Sequence, residues 1–153
     1  MTNRKRSKAF NFRLRDSQGR WVRLSSFKGR KVLLYFYPKD FTSGCTKEAC
    51  DFEKARRAFE KLDVEIVGIS PDSPQRHQKF AHEKRLNFTL LSDSEHLAAQ
   101  KFGVWKQKSM YGKKFMGIER STFLVDEQGR IVKEWRKVKV AGHVQELLEE
   151  LGA

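Results

Sequence analysis

The stretch Val32-Leu33-Leu34-Tyr35-Phe36-Tyr37-Pro38-Lys39-Asp40-Phe41-Thr42-Ser43-Gly44-Cys45-Thr46-Lys47-Glu48-Ala49-Cys50 passes from an unbroken apolar run, through a short polar turn, into residues of helical spacing. An all-apolar strand is usually buried on both faces, which places Val32 to Tyr37 in the middle of a sheet with helices on each side. Pro38 ends the strand. From Cys45 to Leu62 the residues Ala49, Phe52, Ala55, Ala58, Phe59 and Leu62 recur at intervals of three and four and fall on one helical stripe. Cys45 therefore stands at a helix start beyond the C-terminal end of a buried strand, where open α/β sheets place their ligands.

Upstream, Phe12 to Leu14 and Trp21 to Leu24 flank the polar turn Asp16-Ser17-Gln18-Gly19-Arg20 and read as an N-terminal β-hairpin. Downstream, Val64 to Ser70 reads as a strand, Pro74 to about Leu86 as a helix with proline in its first turn, Phe88 to Leu91 as a short strand and Glu95 to Phe102 as a helix. The lysine-rich segment from Val104 to Ile118 shows no regular period. Ser121 to Val125 and Ile131 to Val138 flank Asp126-Glu127-Gln128-Gly129-Arg130 as a second hairpin, and Gly142 to Leu151 closes the chain as a helix. This order predicts an α/β fold with a central mixed β-sheet flanked by helices.

The 153 residues have the length of one domain, so a single domain over 1–153 is expected, with residues 1–8 as a flexible basic tail. The net charge of +13 raises the question of a polyanionic partner. Its lysines and arginines are scattered over several predicted elements, however, without zinc-finger spacing or the signature of an RNA-binding sheet, which favours a solvated basic surface with at most nonspecific nucleic-acid contact. No apolar run approaches the roughly 18 residues of a membrane span, and the first residues lack the apolar centre of a secretion signal. A cytoplasmic protein with no membrane association is expected.

In a reducing compartment two close cysteines point to catalysis or metal binding rather than to a disulfide scaffold. A free thiol of pKa near 8.5 is only about 3% thiolate at pH 7, so a nucleophilic cysteine needs help. The unpaired N–H groups and dipole of a helix N-terminus supply it. Position alone leaves two readings of Cys45, a reactive thiolate and a small buried hydrophobe. Thr42 likewise either caps the helix or faces a substrate pocket with its hydroxyl. Cys50 follows Cys45 by five residues, about 7.5 Å of rise and 140° of rotation on a regular helix, which sets the Cα atoms about 8 to 9 Å apart. That exceeds the disulfide limit of about 7 Å, so the two sulfurs join only if the first turn unwinds. Zinc is disfavoured, because the histidines His77, His82, His96 and His143 lack a supporting arrangement.

Pro38-x-x-x-Thr42-x-x-Cys45 and Cys45-Thr46-x-Glu48-x-Cys50 resemble the motifs of the peroxiredoxins, and among them the bacterioferritin comigratory protein or peroxiredoxin Q group. The resemblance extends to Tyr35-Phe36-Tyr37-Pro38-Lys39-Asp40, Gly68-Ile69-Ser70, Phe88-Thr89-Leu90-Leu91-Ser92-Asp93, Phe102-Gly103-Val104-Trp105 and Arg120-Ser121-Thr122-Phe123-Leu124, and so covers nearly the whole chain.

This resemblance implies a thioredoxin-like fold in which Cys45 is the peroxidatic cysteine, Cys50 resolves it, and Thr42 and Arg120 complete the catalytic site, with Pro38 and Gly44 lining the substrate pocket. It further implies a monomeric, thioredoxin-dependent peroxidase acting on hydrogen peroxide and organic hydroperoxides, with no metal or other cofactor. The alternatives are another thiol oxidoreductase on the same fold, weakened by the absence of Cys-x-x-Cys, and a non-catalytic polyanion-binding protein. Trp105 and Phe102 read as core residues. The group usually has proline where this chain has Ser43, and serine lacks proline's fixed φ, which predicts a first helical turn that opens more easily.

Overall fold

The computed structural model describes residues 7–152. Its strands are β1 (Ser7–Lys8), β2 (Arg13–Asp16), β3 (Trp21–Arg23), β4 (Lys31–Phe36), β5 (Val64–Ser70), β6 (Thr89–Ser92), β7 (Trp105–Met110), β8 (Lys113–Ile118), β9 (Ser121–Val125) and β10 (Arg130–Trp135). Its helices are α1 (Ser43–Lys61), α2 (Pro74–Lys84), α3 (Leu97–Lys101) and α4 (His143–Glu150), with a 3-10 turn at Leu24–Phe27. Eight strands form one mixed sheet in the order β1-β10-β9-β4-β5-β6-β2-β3. β4 lies parallel to β5 and antiparallel to β9.

β4 has neighbours on both edges and is covered on both faces, which is why its apolar run is unbroken. Leu33, Tyr35 and Tyr37 pack with Cys45, Ala49, Phe52 and Phe59 of α1, Phe80 of α2 and Leu147 of α4. Val32, Leu34 and Phe36 point the other way, into a cluster with Leu14, Ala98 and Ala99 of α3, Phe102 and Phe123. Tyr35 stacks on Phe52 with ring centres 4.5 Å apart, fixing α1 over the sheet. Gly68 lies opposite Tyr35 on β5, and a Cβ there would stand 2.9 Å from the Tyr35 ring and 2.9 Å from Leu90. Only glycine lets the ring lie flat at that point.

Three elements differ from the sequence expectation. The segment read as irregular is a two-stranded hairpin of β7 and β8. It has exposed residues on much of both faces, so burial imposes no apolar period on it. Its turn places Tyr111 at φ 51 and Gly112 at φ 77, two successive left-handed residues whose twist suits a tight hairpin. α3 is shorter than expected and begins after His96, itself at φ 60. Within the expected basic tail, Ser7 and Lys8 instead pair with Ile131 and Arg130, and the Ala9 N–H donates to the Gly129 carbonyl. Edge pairing with β10 orders these residues; residues 1–6 of that tail lie outside the described residues. Phe102 is core, and Trp105 packs at the core margin, its ring stacked on His96. Among the described residues no helix is long and apolar enough to cross a membrane.

Candidate active site

Between β4 and α1 the chain turns through Pro38 to Thr42, and one buried carboxylate holds the turn. Asp40 accepts a hydrogen bond from the Tyr37 hydroxyl at 2.5 Å, faces His77 Nδ1 at 2.6 Å, and donates its own N–H to Asp72 at 2.8 Å. Asp40 and His77 are fully buried, and the other ring nitrogen of His77 lies 3.0 Å from the Leu91 carbonyl. The turn is conformationally strained at Phe41, whose φ is 70. Its ring sits edge-on to Phe80 and beneath the Arg76 guanidinium, so packing against α2 holds the strained residue in place. Asp40, Asp72 and His77 bring ligand atoms within 4.8 Å of one another. Those atoms are engaged internally, Asp72 also accepting from Ser70 and pairing with Arg76.

Thr42 occupies the N-cap position of α1 through its backbone, with its carbonyl accepting from the Thr46 N–H at 2.8 Å. Its side chain does not cap. The hydroxyl instead donates to the Lys39 carbonyl at 2.9 Å, which leaves its oxygen as an acceptor on the solvent side and leaves the first N–H groups of α1 without a side-chain cap. Cys45 lies in the first turn, 2% exposed, and Cys50 is half-buried further along the same helix. Both are free thiols, and α1 is continuous through them.

Arg120 arrives from the link between β8 and β9, one residue before Ser121, which pairs with Phe36 at the end of β4. The Val138 N–H donates to its carbonyl at 2.9 Å and so fixes its backbone. Its Nη2 lies 3.3 Å from the Cys45 sulfur and its Nη1 lies 2.5 Å from Glu48 Oε1. Gly44 passes beside the same group, with its Cβ position 3.5 Å from Nη2. Cys45 is thus both buried and faced by a guanidinium, an environment that a mere space-filling thiol does not require. Pro38 is half-buried at the start of the loop. Cys45, Gly44, Thr42 and Arg120 converge on the start of α1, while Cys50 lies away from that point by more than one helical turn.

Glu48 is 1% exposed, and its Oε2 has no hydrogen-bond partner among the described residues. Burial pushes its carboxyl up to about 7, against the opposing pull of Arg120. Arg120 is itself held above its usual value by Glu48 and Cys45, which together outweigh its partial burial. Tyr35 underlies the site, and burial first, then Glu48 and Asp40, raises its hydroxyl well above the ordinary range. Sequence reasoning assigned no role to Glu48 or His77. Glu48 stands inside the quoted motif, one helical turn after Cys45, and that spacing was the available signal. His77 had none, because its partner lies 37 residues away.

Residues 6–134 match the model of the AhpC/TSA family. Peroxiredoxin Bcp of Bacillus subtilis (strain 168) is 54% identical over 144 residues, 94% of this chain and 92% of its own length. Peroxiredoxin Bcp of Escherichia coli (strain K12) is 43% identical over 132 residues, 86% of this chain and 85% of its own. The solved structure of Xanthomonas campestris bacterioferritin comigratory protein, studied for its alkyl peroxide reduction activity, superposes with a TM-score of 0.88 at 42% identity, over 92% of this chain and 89% of that one. A cysteine-to-serine variant of Xylella fastidiosa PrxQ superposes with a TM-score of 0.90 at 36% identity, over 99% and 97%. The mixed sheet with helices on both faces is the thioredoxin-like fold of these neighbours. The chain belongs to the AhpC/TSA family, and the relatives that it matches there are the thiol peroxidases of the Bcp, or peroxiredoxin Q, group.

Proposed function

We propose that the chain reduces hydrogen peroxide and organic hydroperoxides with Cys45 as the attacking thiolate and Cys50 as the resolving thiol, and that thioredoxin restores the dithiol in the cytoplasm. The observation that carries this reading is the 3.3 Å approach of Arg120 to the Cys45 sulfur at the start of α1. There a fixed guanidinium and the uncapped N–H groups act together on the negative charge of the sulfur.

The thiolate attacks one peroxide oxygen along the O–O axis. The O–O bond breaks, its electron pair leaves on the second oxygen, and that oxygen takes a proton to depart as alcohol or water. Sulfur is oxidised to a sulfenic acid and the peroxide is reduced. Arg120 and the Cys45 N–H stabilise the charge that moves onto the leaving oxygen. Thr42 accepts from the peroxide O–H, a task its outward lone pair suits because its own proton is given to Lys39. Glu48 positions Arg120. Pro38 and Gly44 shape the approach, Gly44 by leaving room beside the guanidinium.

Cys50 then attacks the sulfenic sulfur, water leaves, and a disulfide forms. On the continuous helix the two Cα atoms are about 8 to 9 Å apart, so this step requires the first turn of α1 to unwind. An external dithiol reduces the disulfide by exchange. The decisive experiment follows peroxide-dependent oxidation of reduced thioredoxin by the parent, Cys45→Ser and Cys50→Ser. Cys45→Ser is expected to be inactive, and Cys50→Ser to consume one equivalent of peroxide without turnover on thioredoxin. Full activity in Cys45→Ser overturns the reading.

A further inference from the structure

The β7–β8 hairpin runs directly into Arg120, and residues 105–118 hold Lys106, Lys108, Lys113 and Lys114 with no acidic residue. Lys106 pairs with Gly117, Lys108 with Phe115 and Met110 with Lys113. Cross-strand partners share a face, so these six positions lie on the face opposite Trp105 and Ile118, which contact the core. Of the four lysines, three are exposed and Lys108 alone is half-buried.

The stem of Lys108 explains this burial. Its Cδ and Cε lie 3.2 and 3.5 Å from the place where a Cβ would stand on Gly117. The side chain therefore leans across Gly117, towards the end of the hairpin that leads to Arg120. Electrostatic interactions reach it from Arg120, Glu119 and Cys45. Burial, and after it Arg120, lower its pKa, while Glu119 and Cys45 oppose the shift. Arg120 is occupied by Glu48 and Cys45, whereas Lys108 forms no hydrogen bond or ion pair among the described residues. The margin of the site thus holds a second, half-buried cation that no acidic side chain among the described residues engages directly, Glu119 acting on it only from a distance.

We propose that Lys108 is a specificity-determining residue of the peroxide site, and that it favours hydroperoxides bearing a carboxylate or similar anionic group near the peroxy function. This rests on the thiol-peroxidase reading of Cys45. An anion on the substrate meets the ammonium in a setting where water screens it poorly, while a neutral hydroperoxide of the same shape gains nothing from it. Phe115, which pairs with Lys108 and reaches to 3.6 Å from the Cβ position of Gly117, offers apolar contact to the rest of such a molecule.

The test compares tert-butyl hydroperoxide with β-hydroperoxyisovalerate, the same skeleton with a carboxylate on one methyl group. In the parent, the ratio of kcat/KM for the anionic to the neutral peroxide is expected to exceed one and to fall as salt is raised. Lys108→Met should lower that ratio about tenfold, Lys108→Glu should bring it below one, and Lys108→Arg should keep most of it. Gly117→Ala retains the lysine but displaces its stem, and should lower the ratio by a smaller factor. A ratio unmoved by Lys108→Met, with both peroxides still turned over through Cys45, overturns this proposal alone. No Cys45-dependent turnover of either peroxide by the parent overturns the peroxidase reading and this proposal with it.

Discussion

Arg120 and Glu48 meet at 2.5 Å on the side of the guanidinium next to the one that faces Cys45. The carboxylate thereby fixes the plane of the guanidinium, and the second nitrogen is aimed at the sulfur without further adjustment. A planar fork of donors can serve both partners at once, and a single ammonium cannot.

Arg120→Lys is therefore expected to lower kcat/KM for hydrogen peroxide by about a hundredfold, although the charge is kept. Stopped-flow measurement of Cys45 oxidation reads this directly, and a loss below threefold would show that charge alone suffices.

Glu48 gives a pH signature in stability. Its carboxyl is raised from 4.5 to about 7 in the folded chain. Between those values the folded state holds a proton that the unfolded chain has released. The contribution is therefore fully present below about 4.5 and is lost as pH rises through about 7. Urea unfolding of the parent should lose on the order of 3 kcal/mol across that window relative to Glu48→Gln. Parallel pH curves for the two proteins would contradict the assignment.

Gly68→Ala should cost about 1 to 3 kcal/mol, because the new methyl meets the Tyr35 ring and Leu90 at 2.9 Å and neither has space to retreat. Thermal unfolding measures it. The displaced ring should also disturb the floor beneath Cys45 and slow peroxide reduction.

His77→Ala leaves one oxygen of the buried Asp40 carboxylate without its hydrogen-bond partner, the other still held by Tyr37, and should destabilise the fold by roughly 1 to 3 kcal/mol. Asp40→Ala combined with His77→Ala should recover part of that loss. Strict additivity in urea unfolding would show that the two residues do not act as a pair.

Ser43 is the first residue of α1, where proline's fixed φ is well tolerated. Ser43→Pro should stiffen the first turn and slow formation of the Cys45–Cys50 disulfide roughly twofold to fivefold, read by intrinsic fluorescence after a peroxide pulse. An unchanged resolving rate would place the barrier elsewhere.

The sheet and its main helices were legible because burial wrote them into the residue order: two-sided burial left β4 as an apolar run, and one-sided packing left a stripe on α1. The β7–β8 hairpin was not legible, since strands exposed to water need no alternation; the Tyr111-Gly112 turn was its remaining local mark. The start of α1 could be read from Cys45, Thr42 and Pro38, which lie within eight residues of one another. Arg120 entered only through the resemblance of the segment around it. Glu48 gains its meaning from Arg120, and His77 from Asp40. Such contacts arise only when the chain is folded, and no local pattern announces them.

The Tyr35–Phe52 stack has a mechanical consequence. Phe52 follows Cys50 by two residues and is clamped to the sheet, with Phe59 behind it in the same core cluster. Unravelling that starts at Ser43 meets a fixed stop there. Cys50 is the last thiol on the near side of that stop, so in the proposed cycle the helix would act as a short hinged flap on a rigid stem: Cys45 and Ala49 leave the core cluster while Phe52 and Phe59 keep their places in it.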